Sequence, residues 1–148
     1  RPDEIELATG ATIPEACLTA YRAMFREGGL QPGQWVLVRP ATAGVGLAGV
    51  QLANALGARP IGSSRNLDNL ATAREMGLVE GVLADDTLPE RLKEITGDGV
   101  AVIFYMGGPD RNRLLTALPL SATVGTMGVQ GGTNTGTGRP RAVQQEPE

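Results

Sequence analysis

The spacing of apolar residues along this chain switches repeatedly between two periods. From Pro14 to Glu27 it is helical: Ala16, Ala20, Ala23 and Met24 share one face, and Leu18, Tyr21 and Phe25 extend the stripe. Short apolar runs of strand character follow from Trp35 to Arg39, around Arg59 to Ser63, and from Gly81 to Ala84. Two more run from Val100 to Tyr105 and from Ala122 to Met127. Helical patterns fill the intervals: Gly46 to Leu56, Leu67 to Met76, Thr87 to Thr96, and Asp110 to Leu118. The punctuation agrees. Pro14 suits a first helical turn, Gly57 and Gly77 close helices, and Asn66 reads as an N-cap. Thr87 and Glu90 have the spacing of a capping box. Pro60 is the awkward residue, because a proline can open a strand but cannot donate to a central ladder.

Strands separated by helices imply parallel βαβ units with right-handed crossovers. The expected fold class is therefore α/β: a Rossmann-type doubly wound parallel sheet of about five strands in the order 3-2-1-4-5, preceded by an N-terminal helix. Beyond Gly128 the pattern dissolves, and residues 131–141 are rich in glycine and threonine. Residues 1–132 are expected to form the domain and residues 133–148 a flexible, disordered tail. No sixth strand is legible, so strand 5 is expected to be an uncovered edge.

The first strand–loop–helix unit carries the candidate chemistry. Strand Trp35 to Arg39 runs into the small residues Ala41, Thr42, Ala43, Gly44, Val45 and Gly46, and an alanine-rich helix follows directly. Small residues let backbone approach a pyrophosphate, and a helix N-terminus offers N–H groups and a positive dipole end. Ala41, Ala43 and Gly46 occupy the three small positions: one makes the turn, one permits close approach, and one packs helix on strand. Ser63, Ser64 and Arg65 lie at the end of strand 2, where an NAD site carries an acidic residue for the ribose hydroxyls. Hydroxyls and a guanidinium suit a 2′-phosphate instead, so the expected cofactor is NADP(H). Gly107 and Gly108 follow strand 4, and Met127 and Gly128 end strand 5, at the sheet edge where open parallel sheets bind ligands.

Composition narrows the chemistry further. Histidine is absent and Cys17 is the single cysteine, so no zinc site, Ser-His-Asp set or internal disulfide can be assembled from the chain. Formal net charge is −3, which argues against nucleic acid as a partner. No apolar run approaches the roughly 20 residues of a membrane span. A reducing, cytoplasmic setting is the expectation. Tyr105 lacks a lysine four residues later and reads as a strand-end packing residue, while Cys17 reads as a small core residue.

An ordered series of segments carries a family likeness: Ile13-Pro-Glu-Ala-Cys-Leu-Thr-Ala-Tyr21, Leu30-Gln-Pro-Gly-Gln-Trp-Val-Leu-Val38, Ala41-x-x-Gly-Val-Gly46 with Gln51-Leu-Ala53, and Leu56-Gly-Ala58. The chain resembles the cofactor-binding domain of the medium-chain dehydrogenase/reductase superfamily, in its zinc-free quinone oxidoreductase and enoyl reductase branch. The likeness covers roughly Ile13 to Gly132. It implies an NADPH-dependent oxidoreductase passing hydride to a quinone, an enone or a 2-enoyl thioester. It also implies that Thr19 lies near the nicotinamide and that Gly107, Gly108, Met127 and Gly128 make backbone contacts to it. The implied partners are a small-molecule electron acceptor and either a second copy of the chain or a substrate domain outside this stretch. Pro40 departs from the pattern, removing one N–H near the loop where relatives commonly carry Gly, Ala or Asn. A non-catalytic dinucleotide-binding module, or a truncated and inactive relative, is the alternative reading.

Overall fold

A computed structural model describes residues 4–107, Leu114, 123–126 and 142–144. Helix α1 (Leu7–Tyr21) continues into a π-helical segment, Arg22–Glu27. Strand β1 (Trp35–Arg39), helix α2 (Gly44–Ala55) and strand β2 (Arg59–Ser64) form the first crossover unit. A 3₁₀ turn, Leu67–Leu70, leads into α3 (Ala71–Glu75), followed by β3 (Glu80–Leu83), α4 (Leu88–Thr96) and β4 (Val102–Tyr105). Strands β5 (Thr123–Thr126) and β6 (Ala142–Gln144) complete the sheet. The order is β3-β2-β1-β4-β5-β6 and every pairing is parallel. The expected α/β class and the order of the first five strands hold.

Three expectations are corrected. A sixth strand exists: Ala142–Gln144 lies in the stretch read as a disordered tail and pairs with β5, so β5 is not an edge. Its three residues are too few to show periodicity, and pairing alone defines it. Helix α1 begins at Leu7, not Pro14, which stands inside it. Leu7 is 76% exposed, and none of the described side chains of α1 ahead of Pro14 is buried. The Thr87–Glu90 capping box does not form; the Asp85 carboxylate instead accepts from the Thr87 backbone N–H at 2.8 Å. The helix read over Asp110 to Leu118 lies largely outside the described residues, and Leu114 is helical.

Alternation along the central strands sorts the core into two faces. Val36, Val38, Val102 and Phe104 pack with Met24, Val50, Ala53, Leu70 and Ala73 under the layer of α1, α2 and α3. Leu37, Ile61, Val82, Ile103 and Tyr105 pack with Leu88 and Leu92 of α4 and with Leu114. Burial of Tyr105 in that cluster agrees with a packing role. Along α1 and the π-helical segment the buried stripe is narrower than the sequence suggests. Ala20, Ala23 and Met24 are buried, whereas Leu18 and Tyr21 are 65% and 47% exposed and Cys17 is half-buried.

Pro60 is accommodated because of where β3 begins. The Arg59 N–H donates toward β1, to the Gln34 carbonyl at 2.8 Å, so the position of Pro60 faces β3. Pairing with β3 starts one residue later, at Ile61 with Glu80, and the Pro60 carbonyl accepts from Val79 at 3.0 Å. The missing N–H therefore falls ahead of the ladder.

Gly46 fixes how α2 sits on β1. A Cβ there would lie 2.1 Å from the Pro40 carbonyl oxygen and 3.2 Å from Ala41 Cα. The Met106 methyl, at 3.1 Å, could yield, but the other two contacts are backbone and cannot. Gly46→Ala is expected to destabilise the fold by about 3 kcal/mol, the upper part of the range for overpacking. Urea denaturation of the two proteins measures it, and equal midpoints would contradict the packing role.

Candidate functional site

The carboxyl ends of β1, β2 and β4 lie side by side. Val38 is in register with Gly62 and with Phe104, and Arg39 with Tyr105. The Met106 N–H donates to the Arg39 carbonyl at 2.9 Å, and the Ala41 N–H to the Ser63 carbonyl at 3.4 Å. These bonds bring Ala41 to Gly46, Ser63 to Arg65, and Gly107 to one edge of the sheet. Gly108, Met127 and Gly128 lie outside the described residues. Thr19 is half-buried on α1, and its hydroxyl makes no hydrogen bond to another described residue.

Within the loop the three small positions have distinct surroundings. Ala41 is fully buried, and its methyl lies 2.7 Å from where a Cβ on Gly62 would stand. Ala43 is the N-cap of α2 with extended backbone (φ −79°, ψ 156°) and supplies no side-chain cap. The first α2 bond is Leu47 N–H to the Ala43 carbonyl, at 2.8 Å. Helical geometry leaves the N–H groups ahead of Leu47 without intrahelical acceptors. Gly44, at the tip, is exposed, and a Cβ there would meet nothing within 4 Å. The result is an uncapped helix start beneath a bare backbone surface, an arrangement that can receive an anion.

At the end of β2, Ser63 and Ser64 are 1% and 8% exposed. The Ser64 hydroxyl accepts from the Asn66 N–H at 3.3 Å. Asn66 caps the following turn as expected, accepting from the Asp68 N–H at 2.9 Å. Arg65 is exposed, and its guanidinium makes no hydrogen bond or ion pair with another described residue. Arg39, which the sequence presents only as the last residue of a strand, also belongs to this edge. Its Nη1 donates to Ser63 Oγ at 3.3 Å. Burial lowers the Arg39 pKa from its ordinary value, and the neighbouring Tyr105 acts in the opposite direction. The signal that could have found Arg39 is a charged residue closing an otherwise apolar strand immediately before the loop.

A doubly wound parallel sheet with a small-residue loop over an uncapped helix, and hydroxyls and cations at the next strand end, defines a dinucleotide-binding domain of the Rossmann class. Residues 44–145 match the model of the zinc-binding dehydrogenase family, and the chain belongs to that family. Within the medium-chain dehydrogenase/reductase superfamily it is of the quinone oxidoreductase-like kind. It is 35% identical over 112 residues to a quinone oxidoreductase-like protein 2 homolog of Nematostella vectensis, covering 74% of this chain and 30% of that one. It is 32% identical over 114 residues to an acryloyl-coenzyme A reductase of Sulfurisphaera tokodaii, covering 76% and 33%. Among solved structures, the quinone oxidoreductase of Thermus thermophilus, determined also in complex with NADPH, superposes with a TM-score of 0.74. The two are 28% identical, and the match covers 83% of this chain and 40% of that one. The chain thus spans about a third of the length of these two curated relatives.

The family's name refers to zinc, but the donors of this chain do not fit such a centre. Zinc takes three or four Cys, His or carboxylate ligands. The sequence holds no histidine and one cysteine, and among the described residues no group of three or more candidate ligands comes together. No helix among them is long and apolar enough to cross a membrane.

The environment of Gly44 yields a clean expectation. Gly44→Ala is expected to leave the fold intact or to stabilise it by up to about 1 kcal/mol, since the added methyl enters open space. A urea midpoint below wild type would mean that Gly44 serves packing.

Proposed function

We propose that this chain is the NADP(H)-binding domain of a zinc-independent oxidoreductase that transfers hydride to a quinone, an enone or a 2-enoyl thioester. The observation that carries the reading is the pairing of an uncapped α2 N-terminus with a cationic, acid-free Ser63-Ser64-Arg65 segment at the neighbouring strand end. The N–H groups of Gly44, Val45 and Gly46 would face the pyrophosphate, with Ala41 to Ala43 kept small for its approach. Arg65, exposed and unpaired among the described residues, would meet the 2′-phosphate through its planar fork. Gly107, with φ +124° and nothing within 4 Å of where a Cβ would stand, would leave backbone open at the nicotinamide side of the edge. Gly108, Met127, Gly128 and Thr19 are assigned to that side by family likeness.

When bound, the nicotinamide supplies the hydride, and the protein's contribution is to hold it and exclude competing reactions. This chain's residues bind and orient the dinucleotide. A hydroxyl or a water stabilises the developing oxyanion of the acceptor. The relatives named as a quinone oxidoreductase-like protein and an acryloyl-coenzyme A reductase support the quinone and the 2-enoyl thioester among these acceptor classes.

Titration of the purified chain with NADPH and NADH, followed by nicotinamide fluorescence, tests this reading. NADPH is expected to bind at least tenfold more tightly than NADH. Arg65→Ala is expected to remove most of that preference, as the loss of a charge-assisted hydrogen bond worth roughly 1.5–3 kcal/mol implies. Gly44→Ala, folded as above, is expected to weaken both nucleotides together. A folded chain that binds neither nucleotide would refute the reading. Binding without reduction of a quinone or enoyl thioester would leave a dinucleotide-binding module.

A further inference from the structure

The Ser63 hydroxyl is almost wholly covered, and Arg39 is what touches it. Arg39 stands at the carboxyl end of β1, one step beyond the Val38–Gly62 pair, so it and Ser63 are cross-strand neighbours. Both share the strand parity of Leu37 and Ile61, which pack toward α4, and Tyr105 closes the same row from β4. The guanidinium therefore sits in a row of three, Ser63, Arg39 and Tyr105, across the ends of three adjacent strands. Immediately beyond it lie the loop and, past Ser64, the exposed Arg65.

We propose that Arg39 is a second specificity residue for the 2′-phosphate, acting with Arg65 as a two-arginine clamp, and that Ser63 is a positioning residue that orients Arg39 and does not itself contact the cofactor. The proposal rests on the NADP(H) reading and deepens it. Three observations support it. Ser63 and Ser64 are 1% and 8% exposed, so their hydroxyls present little surface to a ligand. Arg39 is only half-buried, and its planar fork of five N–H donors can hold Ser63 through Nη1 and also address a phosphate. Burial disfavours the charged form of Arg39, and an arriving dianion favours it, so phosphate binding and the seating of this cation reinforce one another.

The test is the ratio of NADPH to NADH affinity in four proteins: wild type, Arg39→Gln, Ser63→Ala and the double variant. Arg39→Gln is expected to lower the ratio at least tenfold while NADH affinity stays within twofold. Ser63→Ala is expected to lower it severalfold in the wild-type background and to have no further effect beside Arg39→Gln, because it acts through Arg39. Equal loss of both nucleotides, or an unchanged ratio, overturns the role of Arg39. An undiminished effect of Ser63→Ala in the double variant overturns the positioning role. Should circular dichroism show that Arg39→Gln is unfolded, Arg39→Lys decides. Its ammonium cannot grip Ser63 and reach a phosphate together, and a ratio unchanged in that variant overturns the clamp. A wild type that prefers NADPH through Arg65 alone refutes the clamp and spares the domain's reading. A wild type that binds neither nucleotide refutes both.

Discussion

The close approach of α2 to the end of β1 is the constraint from which the rest of the site follows. Gly46 has the Pro40 carbonyl oxygen where a side chain would begin, so the helix can start only at this height above the sheet. That contact sets the direction of the loop, and the loop sets where the α2 N–H groups point. The same closeness explains Ala41. Its methyl already crowds the place where Gly62 would carry a Cβ, so β2 must also be bare at that register. Two glycines and an alanine on three different elements answer to a single spacing.

Placing the helix start there also decides which side chains can reach the cofactor edge. Strand alternation sends Arg39, Ser63 and Tyr105 to the α4 face, away from the layer that holds α2. The uncapped N–H groups and the cationic row therefore approach the edge from opposite sides of the sheet. A dinucleotide crossing that edge would meet backbone donors at its pyrophosphate and side-chain donors at its adenosine phosphate. The sheet itself separates the two sets, so they need not compete for the same volume.

Much of this was legible because it is local. The β1–loop–α2 unit, the Asn66 cap and the Gly57 terminus at φ +81° depend on residues within a few positions of one another, and each was readable from its own segment. What escaped depends on distant partners. Arg39 looks like an ordinary strand end until Ser63, 24 residues away, is found beside it. Strand β6 has too few residues to announce itself and exists through its register with β5. The capping box fails for a local reason: the Asp85 carboxylate, two residues ahead, accepts from both the Thr87 backbone N–H, which the box would give to Glu90, and the Thr87 hydroxyl.

The sequence assigned Ser63 and Arg65 to one task, as a hydroxyl and a cation at the end of β2. Their burial separates them. A serine at 1% exposure in contact with a guanidinium does a different job from an arginine standing in solvent. Covering a hydroxyl with an arginine is also a costly way to fill space, because the cation gives up solvation that packing alone does not restore. On the proposed reading, the 2′-phosphate would offset part of that cost, since a half-buried guanidinium at the strand end that feeds the loop can hold Ser63 and still present other N–H donors to an anion.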